Sequence, residues 1–166
     1  FTNFVSLGNS LTAGFSDNAL FIAGQETSYP NTIAGQMQLA GGGDFTQPLM
    51  ADNLGGTTLG GQPLTGNRLY LADPFGSPAP TPVAGQGTTE ISNILAGPFN
   101  NMGVPGAKSY HLAAPGYGSL ANLAVGAANP YYVRMATSPD ATVIGDALQM
   151  TPTFFSLWIG NNDILG

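Results

Sequence analysis

The chain has 166 residues, enough for one domain with a core of its own. Charged residues are 7% of the chain, against roughly 25% in an average soluble domain, and the net charge is −6 with Arg68, Lys108 and Arg134 as the basic residues. That balance excludes the basic surface nucleic acid requires and electrostatic docking on anionic lipid; the absence of cysteine and the single histidine, His111, exclude a disulfide framework and a thiolate or multi-histidine metal site.

Phe4–Leu7 reads as a short buried strand that turns abruptly at Gly8 and delivers Ser10 two residues later. Residues 16–27 are mixed and polar-aromatic, a loop beside that serine. Tyr29 to Met37 has helical spacing, with Pro30 in the first turn, an apolar face of Ile33, Met37 and Ala40, and a stop at Gly41-Gly42-Gly43. Residues 41–87 carry 11 glycines and six prolines and show neither helical nor strand periodicity. A stretch that long inside a compact domain is a functional or mobile excursion, and Leu69, Tyr70, Leu71 and Phe75 are the residues expected to pin it to the core.

Phe99–Met102 reads as the end of a second strand, followed by a turn at Val104-Pro105-Gly106. Ala107–Ala113 and Leu120–Ala128 are short helix candidates, Tyr131–Met135 a turn or short helix after Pro130. Thr142–Met150 reads as helix, with Val143, Ala147 and Met150 on one face and Pro152 as its stop. Thr153–Ile159 is a continuous apolar run, the pattern of a strand buried on both faces, and it breaks into Gly160-Asn161-Asn162-Asp163. Strands alternating with helices predict an α/β fold with parallel pairing. No apolar run is long enough to span a bilayer. The chain opens on Phe1 with its first strand close behind, so a leader is expected to have been removed; scarce charge with abundant Gly, Asn and Thr fits an exported protein, periplasmic, cell-surface or extracellular.

Three turns follow three strands: Gly8-Asn9-Ser10-Leu11, Asn101 to Gly106, and Gly160 to Asp163. As a set and in this order they resemble the blocks of the SGNH (GDSL-like) hydrolase family. The resemblance implies a three-layer α/β/α fold with a flavodoxin-like parallel sheet. Residues 1–166 would form the N-terminal portion of one such domain, incomplete at its C-terminal end, with a Gly/Pro-rich insertion at about 41–95. It also implies an ester hydrolase in which Ser10 is the nucleophile. The Ser10 and Gly106 backbone N–H groups and the Asn162 side-chain amide would form an oxyanion hole, with no cofactor and no metal. The substrate would be a small-molecule ester, a lipid or an acylated carbohydrate.

Two departures from the family pattern stand out. Asn9 replaces an aspartate, which keeps a turn-forming side chain but removes a charge. The family's base and its orienting acid come from an Asp-x-x-His block, and nothing in residues 1–166 matches it. His111 reads as a structural or pocket-lining histidine, and Asp163 as a residue that orders its own turn. The expectation is the front part of a longer hydrolase, inactive by itself, with the edge of the last strand exposed and open to association. Two other readings use the same residues. One is a non-catalytic glycan- or lipid-binding module on the same fold, gripping its ligand with the insertion; the other is a surface or structural protein in which the three turns are incidental.

Overall fold

The computed structural model describes residues 2–73 and 75–165. The chain is a mixed α/β protein built on a small parallel sheet. Strand β1 (Phe4–Gly8) is buried at every position and lies in the middle. After it come α1 (Ser10–Ala13), α2 (Ile22–Glu26) and α3 (Tyr29–Leu39). The inserted segment then contributes β2 (Thr57–Leu59), β3 (Gln62–Pro63), β4 (Leu69–Ala72), β5 (Ala79–Pro82) and β6 (Thr89–Glu90). Strand β7 (Asn101–Gly103) returns to the main sheet. Two 3₁₀ turns (Ser109–Ala113 and Leu120–Val125) follow, then α4 (Pro130–Val133), α5 (Val143–Gln149), β8 (Phe154–Trp158) and α6 (Asn161–Leu165).

The main sheet has the order β7-β1-β8 and is parallel throughout. Its register pairs Ser6 with Asn101 and Gly8 with Gly103 on one side, and Phe4 with Phe154 and Gly8 with Trp158 on the other. Alternation sends Val5 and Leu7 to the face covered by α5, where they join Met102, Val104, Leu112, Tyr132, Val143 and Ala147 in the main core. The opposite face carries Phe4, stacked on Phe45 at 5.4 Å, and Ser6, whose hydroxyl bonds Ser156 Oγ at 2.7 Å. Tyr29, at the start of α3, places its hydroxyl 3.1 Å from Thr12 Oγ1 and so fastens α3 to α1.

Several elements differ from the sequence expectation. Residues 16–27 hold a Ser16–Ala19 bridge and the helix α2 instead of an open loop. In α3 the buried residues are Pro30 and Ala34, while Ile33, Met37 and Ala40 lie on the outward side: the helix is held at its start by Tyr29 and Ser28, so its phase follows those contacts and not the apolar stripe. Strand β8 is not buried on both faces. It is the outer strand of the sheet, and Phe155 and Leu157 remain 61% and 54% exposed beside an apolar cavity of about 240 Å³ under α5.

The insertion is folded, although its sequence shows no strand period. Gly60 and Gly61, with φ of 59° and 77°, turn β2 into β3. Two successive left-handed residues suit a tight hairpin, and glycine adopts them at no steric cost. Strand β6 pairs in parallel with β2, and β4 pairs with β5 as a separate hairpin. Carboxylates close the structure. Asp52 accepts from the Leu54 and Gly55 N–H groups and from the Thr88 N–H and hydroxyl; Glu90 accepts from the Gly60, Gly61 and Ser92 N–H groups and the Thr58 and Ser92 hydroxyls. Anchoring to the core does not come from Tyr70, Leu71 or Phe75, all of which are exposed. It comes from Met50, packed with Ala13 and Leu20, and from the buried Gln25, which donates to the Pro48 carbonyl and accepts from the Met50 N–H. Arg134, also buried, donates to the Leu49 carbonyl at 2.8 Å.

These carboxylates make the insertion acid-sensitive. Burial pushes Asp52 upward, but the Thr88, Leu54 and Gly55 hydrogen bonds outweigh it and hold the group below its ordinary 3.8; the Gly61 N–H and the Ser92 hydroxyl lead in holding Glu90 at about 2, against an ordinary 4.5. Both folded-state values lie below the unfolded ones, so the stabilisation is present above pH 4.5 and is lost as pH falls towards about 2. Amide protection at Gly55, Gly61 and Thr88 is expected to fall across that window before protection at Val5 and Leu7 does. Simultaneous loss at all five would refute a separately held insertion.

Among the described residues no helix is long and apolar enough to cross a membrane, and no group of histidines and carboxylates is placed to hold a metal ion.

Candidate functional site

The three parallel strands end on the same edge of the sheet, and each is followed by one of the three turns. After β1, Asn9 caps α1: its Oδ1 accepts the Leu11 N–H at 3.1 Å, and Ser10 becomes the first helical residue. An N–H in a helix's first turn has no intrahelical partner, so the Ser10 N–H is left free by the local fold. The tight approach of α1 to the sheet explains the glycines around it. A Cβ on Gly8 would lie 2.1 Å from Thr12 Oγ1, and one on Gly103 would lie 2.3 Å from the Ala13 nitrogen.

After β7, the Ala107 N–H closes a turn onto the Val104 carbonyl at 3.0 Å, with Gly106 third in the turn at φ 81°. That conformation is the reason for glycine here. A Cβ at Gly106 meets only Asn129 Nδ2, at 3.9 Å, so crowding is not the constraint. Ser10 and Gly106 line one open cavity of about 410 Å³, together with Phe15, Asn18, Thr65, Gly66, Pro105 and Tyr131. Burial pushes the Tyr131 phenol upward, opposed by the nearby Thr65 side chain and the Arg134 charge.

After β8, Asn162 comes to the same edge but is not among the residues lining the cavity. Its Nδ2 donates to the Ala107 carbonyl at 2.8 Å, one residue past Gly106. An amide nitrogen carries two hydrogens, so a second donor remains. Asn161 accepts from Asn9 Nδ2 at 3.1 Å, which ties the first turn to the third. Asp163 accepts from the Ser109 N–H and hydroxyl; these hydrogen bonds hold its carboxyl below the usual range, and they tie the third turn to the segment after the second. The sequence reading of Asp163 as ordering its own turn is therefore too narrow.

His111 is engaged elsewhere. Its Nδ1 accepts the Lys108 N–H at 3.0 Å, and its ring stacks on Tyr117 with centroids 4.3 Å apart. Burial, aided by the Lys108 charge and opposed by Asp163, pushes its pKa below 6.5, so the ring is neutral near pH 7. Among the described residues no group hydrogen-bonds Ser10 Oγ, and His111 does not line its cavity.

Sequence reading did not foresee Tyr131, Thr65 and Gly66 at the serine. Their signals are faint: Asn129-Pro130 marks the start of α4, where the Asn129 side chain accepts the Tyr131 N–H, but nothing local aims the insertion at Ser10. No protein-family model matches the chain, and no curated protein or solved structure matches it significantly.

Proposed function

We propose that the chain is the serine-bearing part of an exported SGNH-type ester hydrolase, working through an acyl-serine intermediate. The observation that carries this reading is the shared cavity: Ser10 and Gly106, from turns far apart in sequence, line one open space at the carboxyl ends of parallel strands. That edge is where open α/β sheets form their crevices. The order β7-β1-β8 fits the first three strands of a flavodoxin-like sheet, and α5 and α3 contribute to opposite faces of it; both support the three-layer fold.

In this reading Ser10 Oγ adds to an ester carbonyl and passes its proton to a general base. The carbon–oxygen bond to the alcohol breaks, the alcohol leaves with that proton, and water then releases the acid and restores the serine. The Ser10 and Gly106 N–H groups and the second Asn162 hydrogen stabilise the oxyanion. The base lies outside the described residues, in the family's Asp-x-x-His block. The exposed edge of β8, apolar and without a strand beyond it among the described residues, supports association there. A binding module on the same fold is the second reading, and the lack of a hydrogen-bond partner at Ser10 Oγ among the described residues favours it. The two part on one experiment. In a chain carrying the downstream block, a fluorophosphonate is expected to label Ser10, and Asn162→Ala to slow labelling by about 10²-fold. An unlabelled Ser10 there sinks the hydrolase reading.

A further inference from the structure

We propose that a small cavity beside the buried Arg134 binds a monatomic anion of the halide class, such as chloride, and that this ion fastens the insertion to the sheet behind the Ser10 cavity. The cavity measures about 10 Å³, room for one species close to the size of a water molecule. Its walls come from separate parts of the fold: Gln25 of α2, Pro48 of the insertion, Asn101 and Gly103 of β7, and Tyr131 and Arg134 at α4.

Arg134 supplies the charge. It is 4% exposed, and among the described residues its side chain donates to neutral acceptors only: Nη2 to the Leu49 carbonyl at 2.8 Å and Nη1 to Met50 Sδ at 3.3 Å. A thioether sulfur is a weak acceptor. Nε is buried and has no hydrogen-bond partner among the described residues. Burial pushes the guanidinium down to about 10, opposed by Tyr131, so it keeps its charge near pH 7. The Tyr131 phenol, raised by burial, is neutral there and supplies no counter-charge. Buried charges are ordinarily paired, because taking one out of water costs far more than burying a neutral polar group.

The other polar groups of the lining select an acceptor that has no hydrogens of its own. Gln25 Nε2 donates one hydrogen to the Pro48 carbonyl at 3.0 Å and keeps the second. Gln25 Oε1 accepts the Met50 N–H at 2.7 Å, and Asn101 Oδ1 accepts the Gly103 N–H at 3.0 Å. Both Asn101 Nδ2 hydrogens are spent, on the Thr12 carbonyl and on Gln47. Unpaired donors therefore remain on Arg134 and Gln25, while the side-chain oxygens of the lining are engaged. A water would meet those donors, but it brings no counter-charge and two hydrogens that need acceptors. A halide accepts from both side chains and neutralises the guanidinium; sulfate, phosphate and carboxylates exceed the space. Leu49 and Met50, both held by Arg134, belong to the insertion, and Tyr131 lines this cavity and the Ser10 cavity alike. Occupancy thus couples anion concentration to the attachment of the insertion and the placement of Tyr131, whether or not Ser10 is a nucleophile.

The test replaces sodium gluconate by sodium chloride at constant ionic strength and follows the Arg134 Nε–H resonance, the Gln25 side-chain amide resonances and the melting temperature. Saturable shifts of both side chains are expected, with melting raised by about 3–5 °C for each tenfold increase in chloride beyond half-saturation. Sulfate at the same ionic strength should produce neither. In Arg134→Met, which is neutral and of similar reach, the chloride-dependent rise should vanish. If that variant does not fold, the resonance titration of the unaltered chain decides. Absence of a saturable shift, or shifts that are equal in chloride and sulfate, means screening or an adventitious ion only and overturns the site. A chloride-dependent rise that survives in Arg134→Met overturns it as well, as does a shift at Arg134 with Gln25 and the melting temperature unmoved.

Discussion

Gly103→Ala is expected to lower the melting temperature by about 6–12 °C, from a destabilisation of about 3 kcal/mol. The added Cβ would sit 2.3 Å from the Ala13 nitrogen and 2.7 Å from the Thr12 carbonyl carbon. Both are backbone atoms, so no side-chain rotation relieves the clash. Either α1 lifts off β7 or β7 leaves its register with β1, and Met102 and Val104, both fully buried, flank the site. A loss of this size is a large part of a typical domain's stability. Gly66→Ala is the control, since its Cβ enters open space, and it should shift melting by no more than about 1–2 °C. The variant has a second readout. Because α1 carries Ser10, Gly103→Ala should also perturb the amide shift of Ser10 itself, whereas a purely global destabilisation would leave that shift alone. Equal melting temperatures for the two variants would mean that α1 is not wedged against the sheet.

The parts of this fold that were legible in sequence are those whose signals are local. β1, α3, α5 and β8 were placed from apolar runs, a proline in the first turn and a proline stop, and each is found close to its expected bounds. Burial was read less well, because it depends on what lies across the chain. Ile33 and Met37 make a helical stripe, yet α3 is positioned by Tyr29 and Ser28 and turns that stripe outward. Phe155 and Leu157 read as doubly buried, but a strand's second neighbour and covering helix are not encoded in the strand. The insertion was the least legible. Its strands are two to four residues long, too short to show a period, and its order comes from Asp52 and Glu90 gathering N–H groups 36 and 30 positions away. At the candidate site, Ser10 and Gly106 were singled out and share a cavity, because strand-then-turn is a local pattern. That Asn162 spends one hydrogen on Ala107, or that Thr65 and Gly66 border the serine, depends on contacts across the fold that no local pattern records.

A protein consisting of residues 1–166 is expected to hydrolyse p-nitrophenyl acetate at no better than a residual rate, and His111→Ala is expected to leave that rate unchanged. A serine hydroxyl is a weak nucleophile at neutral pH and needs a base within hydrogen-bond reach. Residues 1–166 contain one imidazole, and its Nδ1 is occupied by the Lys108 N–H while its ring lies flat against Tyr117 at 4.3 Å. Freeing it would cost the cap of the 3₁₀ turn that begins at Ser109, the tilted ring contact with Tyr110 and the stacking with Tyr117. Serine proteases stripped of their triads keep about 10³–10⁴ over water from the oxyanion hole and binding alone. A rate in that range that falls when Ser10 is replaced but not when His111 is replaced fits a complete hole without a base. Supplying the base should then raise turnover by several further orders of magnitude, as joining the Asp-x-x-His block in the same chain would do. Enzyme-like turnover by residues 1–166, abolished by His111→Ala, would instead make His111 the base and require its ring to leave Tyr117 and reach the Ser10 cavity.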